Sequence, residues 1–305
     1  MSQELIQRAD LVLANLQTNG GILNPEQADR FIQVLVDEPT ILNVARTVTM
    51  AGPTMELNKI GFGSRIMRAA VENTRLAAAD RVKPTTSKVS LATKEVIAEI
   101  LLPYAVLEDN IEKGNLENTI LTLIAKRAAT DFEELVILGD QSLAGTDPYL
   151  GLLDGVVKRI TAHEVDALTT GISANTFNNA LKALPKKYRR NKNLLKFLLG
   201  SDAEQDWRNK IAARQTILGD STLVGSAPST VHGVGILPAA LMPDGVGILT
   251  NPQNIIIGIQ RNFRLESFRM IGERQYQIVL TARVDVQIEE TDAAVKIVNF
   301  EDIEA

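Results

Sequence analysis

Apolar residues recur at helical spacing through GNLENTILTLIAKRAATDFEELVILGD, residues 114–140, where Leu116, Ile120, Ile124, Phe132 and Leu135 share one stripe. Asn115 is placed to cap the start and Gly139 to end it, so the pattern predicts a helix of roughly 35 Å over 115–138 at about 1.5 Å per residue. Two shorter amphipathic helices are predicted ahead of it. Ser2 caps Leu5 to Leu16, and Asn24, Pro25 and Gln27 open a second helix through Phe31, Val34 and Leu35. A period of two takes over in KIGFGSRIMR, residues 59–68, and again in KVSLATKEV, residues 88–96, which reads as a hairpin. The stretch between them, AAVENTRLAAADRVKPTT, has no sustained period and predicts a protruding loop. A two-stranded hairpin is marginal alone in water, so its apolar face and Arg65, Arg68, Arg75 and Arg81 need another surface.

From 151 to 250 the pattern changes to short apolar runs between turn residues, with two marked helices. Ser173 caps Phe177, Leu181 and Leu184 ahead of Pro185, and SDAE at 201–204 reads as a capping box opening a helix through Trp207 and Ile211. The span is predicted to be a separate α/β unit, left through a Gly- and Ser-rich exposed loop, GDSTLVGSAPSTVHGVG. NIIIGIQR at 254–261 then reads as a buried strand, YQIVLTARVDVQI at 276–288 as a very long alternating one, and VKIVNF at 295–300 as the last. A long helix and long antiparallel strands on either side of an inserted unit predict an elongated α+β platform.

Composition narrows the function classes. The chain has 305 residues, a formal net charge of -5 and no cysteine, which removes disulfides, thiolate metal sites and a cysteine nucleophile. The charge balance does not suit a dedicated DNA-binding protein, and no apolar run is long enough to span a membrane. The basic cluster KKYRRNK at 186–192 is read as a charged loop, with nucleic-acid contact as its alternative. His163 and His232, the only histidines, fall in different predicted loops, and no HExxH spacing or singled-out carboxylate pair argues for metal or acid-base chemistry. The glycines of GFG at 61–63 and GVG at 233–235 read as bend or close-packing positions.

The order of parts, with the stretches DFEELVILGD, ALPKKYRRNKNLLKFLLGSDAEQDWRNKIAARQTILGD, ILTNPQNIIIGIQR and IVLTARVDVQIEE, resembles the HK97-fold major capsid proteins of tailed bacteriophages over nearly the whole chain. The resemblance implies an N-terminal arm at 1–54, an extended hairpin loop at 55–95, a peripheral domain with its spine helix at 96–150, an axial domain at 151–250 and peripheral return strands at 251–305. It implies a structural protein without cofactor, metal or catalytic site, assembling into hexamers and pentamers of an icosahedral head around double-stranded DNA. Implied partners are a scaffolding protein acting in trans, a portal, and a decoration protein, with packaged DNA held only by weak, non-specific contact and no membrane involved. The location implied is the virion, after assembly in the host cytoplasm. The arm is too short for a fused scaffolding domain, and no motif supports covalent cross-linking through Lys83 or Lys88. Other readings are an encapsulin-type nanocompartment shell or, in a different class, a hydrolytic enzyme using His163 or His232.

One local conflict suggests an intersubunit contact. Asp131, Glu133 and Glu134 sit in the last turns of the long helix, where the dipole disfavours carboxylates. They are expected to pair across subunits with Arg65, Arg68 or Arg75 of the hairpin, the alternative being solvated carboxylates of little energetic weight.

Overall fold

The computed structural model describes residues 39–63, 65–69, 72–73, 75–108, 116–168, 171–213 and 229–300. The helices expected between Ser2 and Leu35, the Asn115 cap and most of the Gly- and Ser-rich loop lie outside the described residues. In chain order the first elements are α1 (Ile41–Val44), β1 (Arg46–Thr49), β2 (Thr54–Gly61), β3 (Thr85–Ala92) and β4 (Lys94–Pro103). Next come α2 (Tyr104–Glu108), α3 (Leu116–Leu138), α4 (Val156–Arg159), β5 (Glu164–Asp166) and α5 (Ala174–Ala183). The middle of the chain continues through β6 (Lys196–Leu199), α6 (Ser201–Ala212), β7 (Thr230–Val231), β8 (Val234–Pro238) and β9 (Gly247–Thr250). It ends in β10 (Ile255–Met270), β11 (Gln275–Ile288) and β12 (Ala294–Val298).

Two sheets and a hairpin organise these elements. The first sheet has the order β1-β10-β11-β4, antiparallel except for β1, which runs parallel to β10. Its centre, β11, alternates almost strictly between buried and half-buried residues because α3 covers one face. The 23-residue α3 spans about 34 Å at about 1.5 Å per residue. Its first half packs Ile120, Leu121 and Ile124 on Leu102, Tyr276 and Ile278. Its second half drives Phe132, Leu135, Val136 and Ile137 into the main core beside Ile255, Val284 and Val286.

The second sheet has the order β5-β12-β9-β6-β8-β7. Leu198, Ile248 and Ala294 point from it into the main core, while Phe197, Leu199, Leu249, Val295 and Ile297 point into a second core under α5 and α6. Burial on both faces explains why KFLL and GILT read as unbroken apolar runs rather than alternating ones. In the second core Phe177 meets Phe197 and Trp207 edge-on, at centroid distances of 4.7 and 5.1 Å.

Several expectations need correction. The hairpin exists, but its first strand is Thr54–Gly61 and not 59–68, so Arg65 and Arg68 lie in the loop beyond it. The return stretch breaks at Thr93 into β3, which pairs with β2, and β4, which joins the first sheet. Part of the span assigned to the arm is core: Ile41 is fully buried and β1 pairs with β10 over Arg46–Thr49. The last strand, β12, belongs to the six-stranded sheet, between β5 and β9, and not to the return strands of the first sheet. The end of the predicted exposed loop is the tight β7–β8 hairpin, turning at His232 and Gly233, both with positive φ.

Caps and stops differ in detail. Ser173 caps α5 as expected, accepting from the Thr176 amide at 3.2 Å. Gly200, not Ser201, precedes α6, and Glu204 spends its carboxylate on Arg208 and Ser229, each at 2.5 Å. At the end of α3, Gly139 is required by close backbone approach: a Cβ there would lie 2.5 Å from the Leu153 carbonyl oxygen. The facing Gly155 would meet the Ile137 carbonyl oxygen at 2.6 Å, and its amide donates to the Gly139 carbonyl at 2.7 Å.

Candidate functional site

The acidic end of α3 resolves into three different environments. Glu133 is buried, 4% exposed, with its carboxylate at the start of α1. There it accepts from the Thr40 amide at 2.8 and 3.0 Å and from the Ile41 amide. These are the unsatisfied donors of a helix N-terminus, so the carboxylate disfavoured by the dipole of its own helix is held by the amides of another. The expected pairing of Glu133 with a neighbour's arginine is therefore corrected: its partners lie in its own chain. Burial pushes the carboxyl above the usual carboxylate range, and the backbone donors partly offset this.

Asp131 and Glu134 remain at the surface side of the helix. Asp131 pairs with Arg127 one turn earlier at 2.7 Å, and its backbone carbonyl accepts from the Tyr149 hydroxyl at 2.8 Å. Burial pushes the Tyr149 phenol upward, and the charges of Asp131 and Glu134 add to the shift. Beside these groups opens a cavity of about 320 Å³ between α3 and the first sheet, walled by Val96, Ala98, Ala128, Tyr149, Phe263 and Leu280. Its walls are apolar and its two carboxylates, Asp131 and Glu134, stand one helical turn apart.

The hairpin arginines stand apart from these acids. Arg65 and Arg75 are exposed, and Arg68 lies 3.6 Å from Asp80 and donates to the Arg65 carbonyl at 3.1 Å. Arg81 folds back on the Leu76 carbonyl. Around them the loop displays large apolar side chains: Ile60 is 74% exposed, Phe62 and Ile66 54%, and Met67 82%. The apolar packing of the hairpin on its own sheet is at its root. Met50, Leu91 and Ile256 pack together there, and Gly258 leaves room for Met50 and Leu91, whose atoms a Cβ would meet at 2.8 and 3.3 Å.

Two polar clamps on the hairpin, one at its root and one towards its far end, were not legible in the sequence. Asp285, 4% exposed, accepts from the Ala92 amide at 2.7 Å and the Val286 amide at 2.8 Å, with Arg159 at 3.8 Å. Burial raises its pKa, and those donors and Arg159 partly offset the rise. Its alternation places it on the half-buried face beside Arg283 and Gln287, so nothing in the strand pattern announces that the hairpin covers it. Glu290 takes Lys59 of the hairpin at 2.9 Å and the Tyr188 hydroxyl of the inserted unit at 3.2 Å, and the Lys59 bond holds its carboxyl below the usual range.

The other candidate groups do not converge. The KKYRRNK loop places Lys187 over the Tyr188 ring at 4.5 Å and lines a cleft of about 490 Å³ that also holds Glu289 and Glu290. Both signs of charge face that cleft, which does not suit phosphate tracking. His163 precedes β5 and His232 turns between β7 and β8, at opposite edges of the six-stranded sheet. Five strand spacings of about 4.8 Å put the two edges roughly 24 Å apart. His232 Nε2 sits 3.0 Å from the Ala174 carbonyl oxygen. Among the described residues there is no group of three metal-ligating side chains, and no helix is long and apolar enough to cross a membrane.

Comparison with known proteins bears on the whole chain. Residues 19–299 match the Phage capsid family. The chain is 44% identical over 313 residues to YqbE of Bacillus subtilis (strain 168), named as a prophage capsid protein, covering 99% of each. Among solved structures it is similar to the capsid of an empty GTA particle, with a TM-score of 0.66 at 16% identity, covering 94% of this chain and 97% of that one. It is also similar to a structure from Mycobacterium phage Adephagia, with a TM-score of 0.61 at 14% identity and 92% of each chain covered. At those identities the structures speak for the fold, a mixed helix-and-sheet capsid architecture.

Proposed function

Because the chain belongs to the phage capsid family, we propose that it is the major subunit of an icosahedral head, assembling as hexamers and pentamers into a closed shell around double-stranded DNA. In this reading β2, β3 and their loop form the extended hairpin that lies over an adjacent subunit. Helix α3 is the spine, the first sheet is the peripheral platform, and the six-stranded sheet with α5 and α6 is the axial domain at capsomer centres.

The observation that carries the reading is the hairpin. Among the described residues its far end has little apolar cover, and it presents Ile60, Phe62, Ile66 and Met67 to solvent. Large exposed apolar groups in one segment mark a surface that another molecule covers. Repetition of one modest contact around a closed shell gives a stable particle while each contact stays reversible during assembly. The chain's partners in this reading are a scaffolding protein acting in trans, a portal and a decoration protein, with packaged DNA held only by weak, non-specific contact. The role is structural, without catalysis, in the virion after assembly in the host cytoplasm.

Negative-stain electron microscopy and sedimentation velocity on the chain alone and with a scaffold candidate test it. Closed shells, or rings of five or six, are expected. A homogeneous monomer or dimer in every condition, scaffold included, overturns the proposal, and shells that enclose protein cargo in place of DNA would favour the encapsulin type.

A further inference from the structure

We propose that residues 301–305 of one copy, Glu-Asp-Ile-Glu-Ala, seat in the cleft of about 490 Å³ beside the KKYRRNK loop of a second copy, with their carboxylates on Lys187 and Arg190 and Ile303 on Leu194. The inference rests on the capsid reading and names a head-to-tail contact that this reading leaves open. Charge sets what the cleft takes. Arg46, Lys187 and Arg190 line it against two acids, and both acids are already taken: Glu289 pairs with Arg46 at 2.8 Å and Glu290 with Lys59 at 2.9 Å. Lys187 lies over the Tyr188 ring, which leaves its charge in place, and Arg190 has no ion-pair partner among the described residues. Beside this positive surplus stands Leu194, an apolar side chain 56% exposed. In 301–305 three carboxylates enclose one large aliphatic side chain, the same combination with the sign reversed. A nucleic-acid strand suits the cleft less well, because it needs a continuous row of cations and has no aliphatic group to place against Leu194, Leu195 and Ala293.

Distance along the sheet requires the second copy. Ala293 lines the cleft just ahead of β12, whereas Phe300 lies past the other end of that strand, where its amide donates to the Gly245 carbonyl at 3.3 Å and its ring packs beside Gly247. Strand β9 runs antiparallel beside β12, so the cleft at Asn251 and the exit at Phe300 mark opposite ends of the same two strands. The steps from Ala294 to Val298 cover about 13 Å at about 3.3 Å each. Glu301 and Asp302 extend no more than about 7 Å past Phe300, so these acids cannot reach the cleft of their own chain. An acceptor at one end of the six-stranded sheet and a donor at the other are the two halves of a heterologous contact, the kind that closes into a ring.

The cleft is tested first on the full, unassembled chain, titrated at low salt against a fluorescein-labelled peptide of residues 299–305 and read by anisotropy. Saturable binding is expected, weakened by added salt and at least about fivefold weaker for Lys187→Glu with Arg190→Glu. The peptide with Glu301→Lys, Asp302→Lys and Glu304→Lys should not bind. No binding, or binding indifferent to the two cleft substitutions, overturns the proposal. So does a single-stranded oligonucleotide that is retained, and released by the same substitutions, where the peptide is not bound, an outcome that gives the cleft to nucleic acid. The absence of cysteine lets the same contact be read in shells. Oxidation of Leu194→Cys with Ile303→Cys by copper phenanthroline is expected to give a reducible series from dimers up to five or six, missing from either single variant. Shells of normal appearance with no bridge, or with a bridge only inside each chain, overturn the second-copy contact and leave the capsid reading standing. If the unaltered chain forms neither rings nor shells, the capsid reading falls first and this contact with it.

Discussion

Glu133 offers a quantitative test of how α1 is held to the core. Its carboxylate serves two backbone donors, the amides of Thr40 and Ile41, the second in a fully buried residue. Removing it by Glu133→Ala leaves both donors without a partner. Each unsatisfied buried amide costs about 1–3 kcal/mol, while the buried charge that disappears returns part of that. A net loss of about 2–4 kcal/mol is expected, or roughly 4–8 °C at about 2 °C per kcal/mol for a chain of this size. Glu133→Gln keeps the shape and one acceptor but turns an amide donor toward the Thr40 amide, so its loss should be about half as large.

The pH dependence separates this account from a simple salt-bridge picture. Burial raises the folded-state pKa of Glu133, whereas the unfolded chain titrates near the ordinary glutamate value of about 4.3. The folded chain therefore holds the proton more tightly, and this group's contribution to stability grows as pH falls through the folded pKa, levelling off below the unfolded one. The penalty of Glu133→Gln, which has nothing to titrate, should be larger near pH 4.5 than at pH 7.5. Urea unfolding of the unassembled chain at both pH values measures it. A penalty that shrinks on acidification would mean a depressed pKa and would refute the burial argument, and a Glu133→Ala variant within about 1 °C of the parent would refute the clamp itself.

Three further outcomes follow from the packing. Gly155→Ala places a Cβ 2.6 Å from the Ile137 carbonyl oxygen, so it should lower the thermal midpoint by several degrees or leave the chain insoluble, as scanning calorimetry or a solubility assay will show. Asp285→Asn keeps one side-chain acceptor but loses the charge facing Arg159 and the second acceptor oxygen, so that the Ala92 or the Val286 amide is left without it; amide exchange at Ala92 should quicken at least tenfold while exchange in β6 and β9 stays unchanged. Lys59→Ala removes an ion pair whose glutamate is 42% exposed, so stability should change by no more than about 1 kcal/mol, within the range for exposed pairs.

What could be read from the sequence tracks how local its cause is. The period of α3, the Ser173 cap and the length of β11 are set by neighbours along the chain, and they appear where the pattern puts them. The pattern places a strand at 59–68 because the exposed apolar residues Ile60, Phe62 and Ile66 imitate a buried alternating face when only the chain is in view. Glu133 reads as a surface acid since its partners, Thr40 and Ile41, are more than ninety residues away. Likewise β12 looks like a continuation of β11, and only the pairing with β5 and β9 reveals which sheet it completes. The cavity beside Asp131 is assembled from α3, Tyr149 and three strands, and no contiguous stretch of sequence carries it.

That position of β12 bears on when the protein can become functional. Among the described residues strand β5 has β12 as its one sheet partner, and β12 also completes the edge of β9. The six-stranded sheet therefore stays incomplete until residues 294–298 have been synthesised. A prematurely terminated chain lacks the strand that joins its inserted unit, and with it Val295 and Ile297 of the second core. Synthesis of β12 is in this way a folding checkpoint: a chain cut short before it is denied the complete six-stranded sheet, however much of the preceding sequence is already in place.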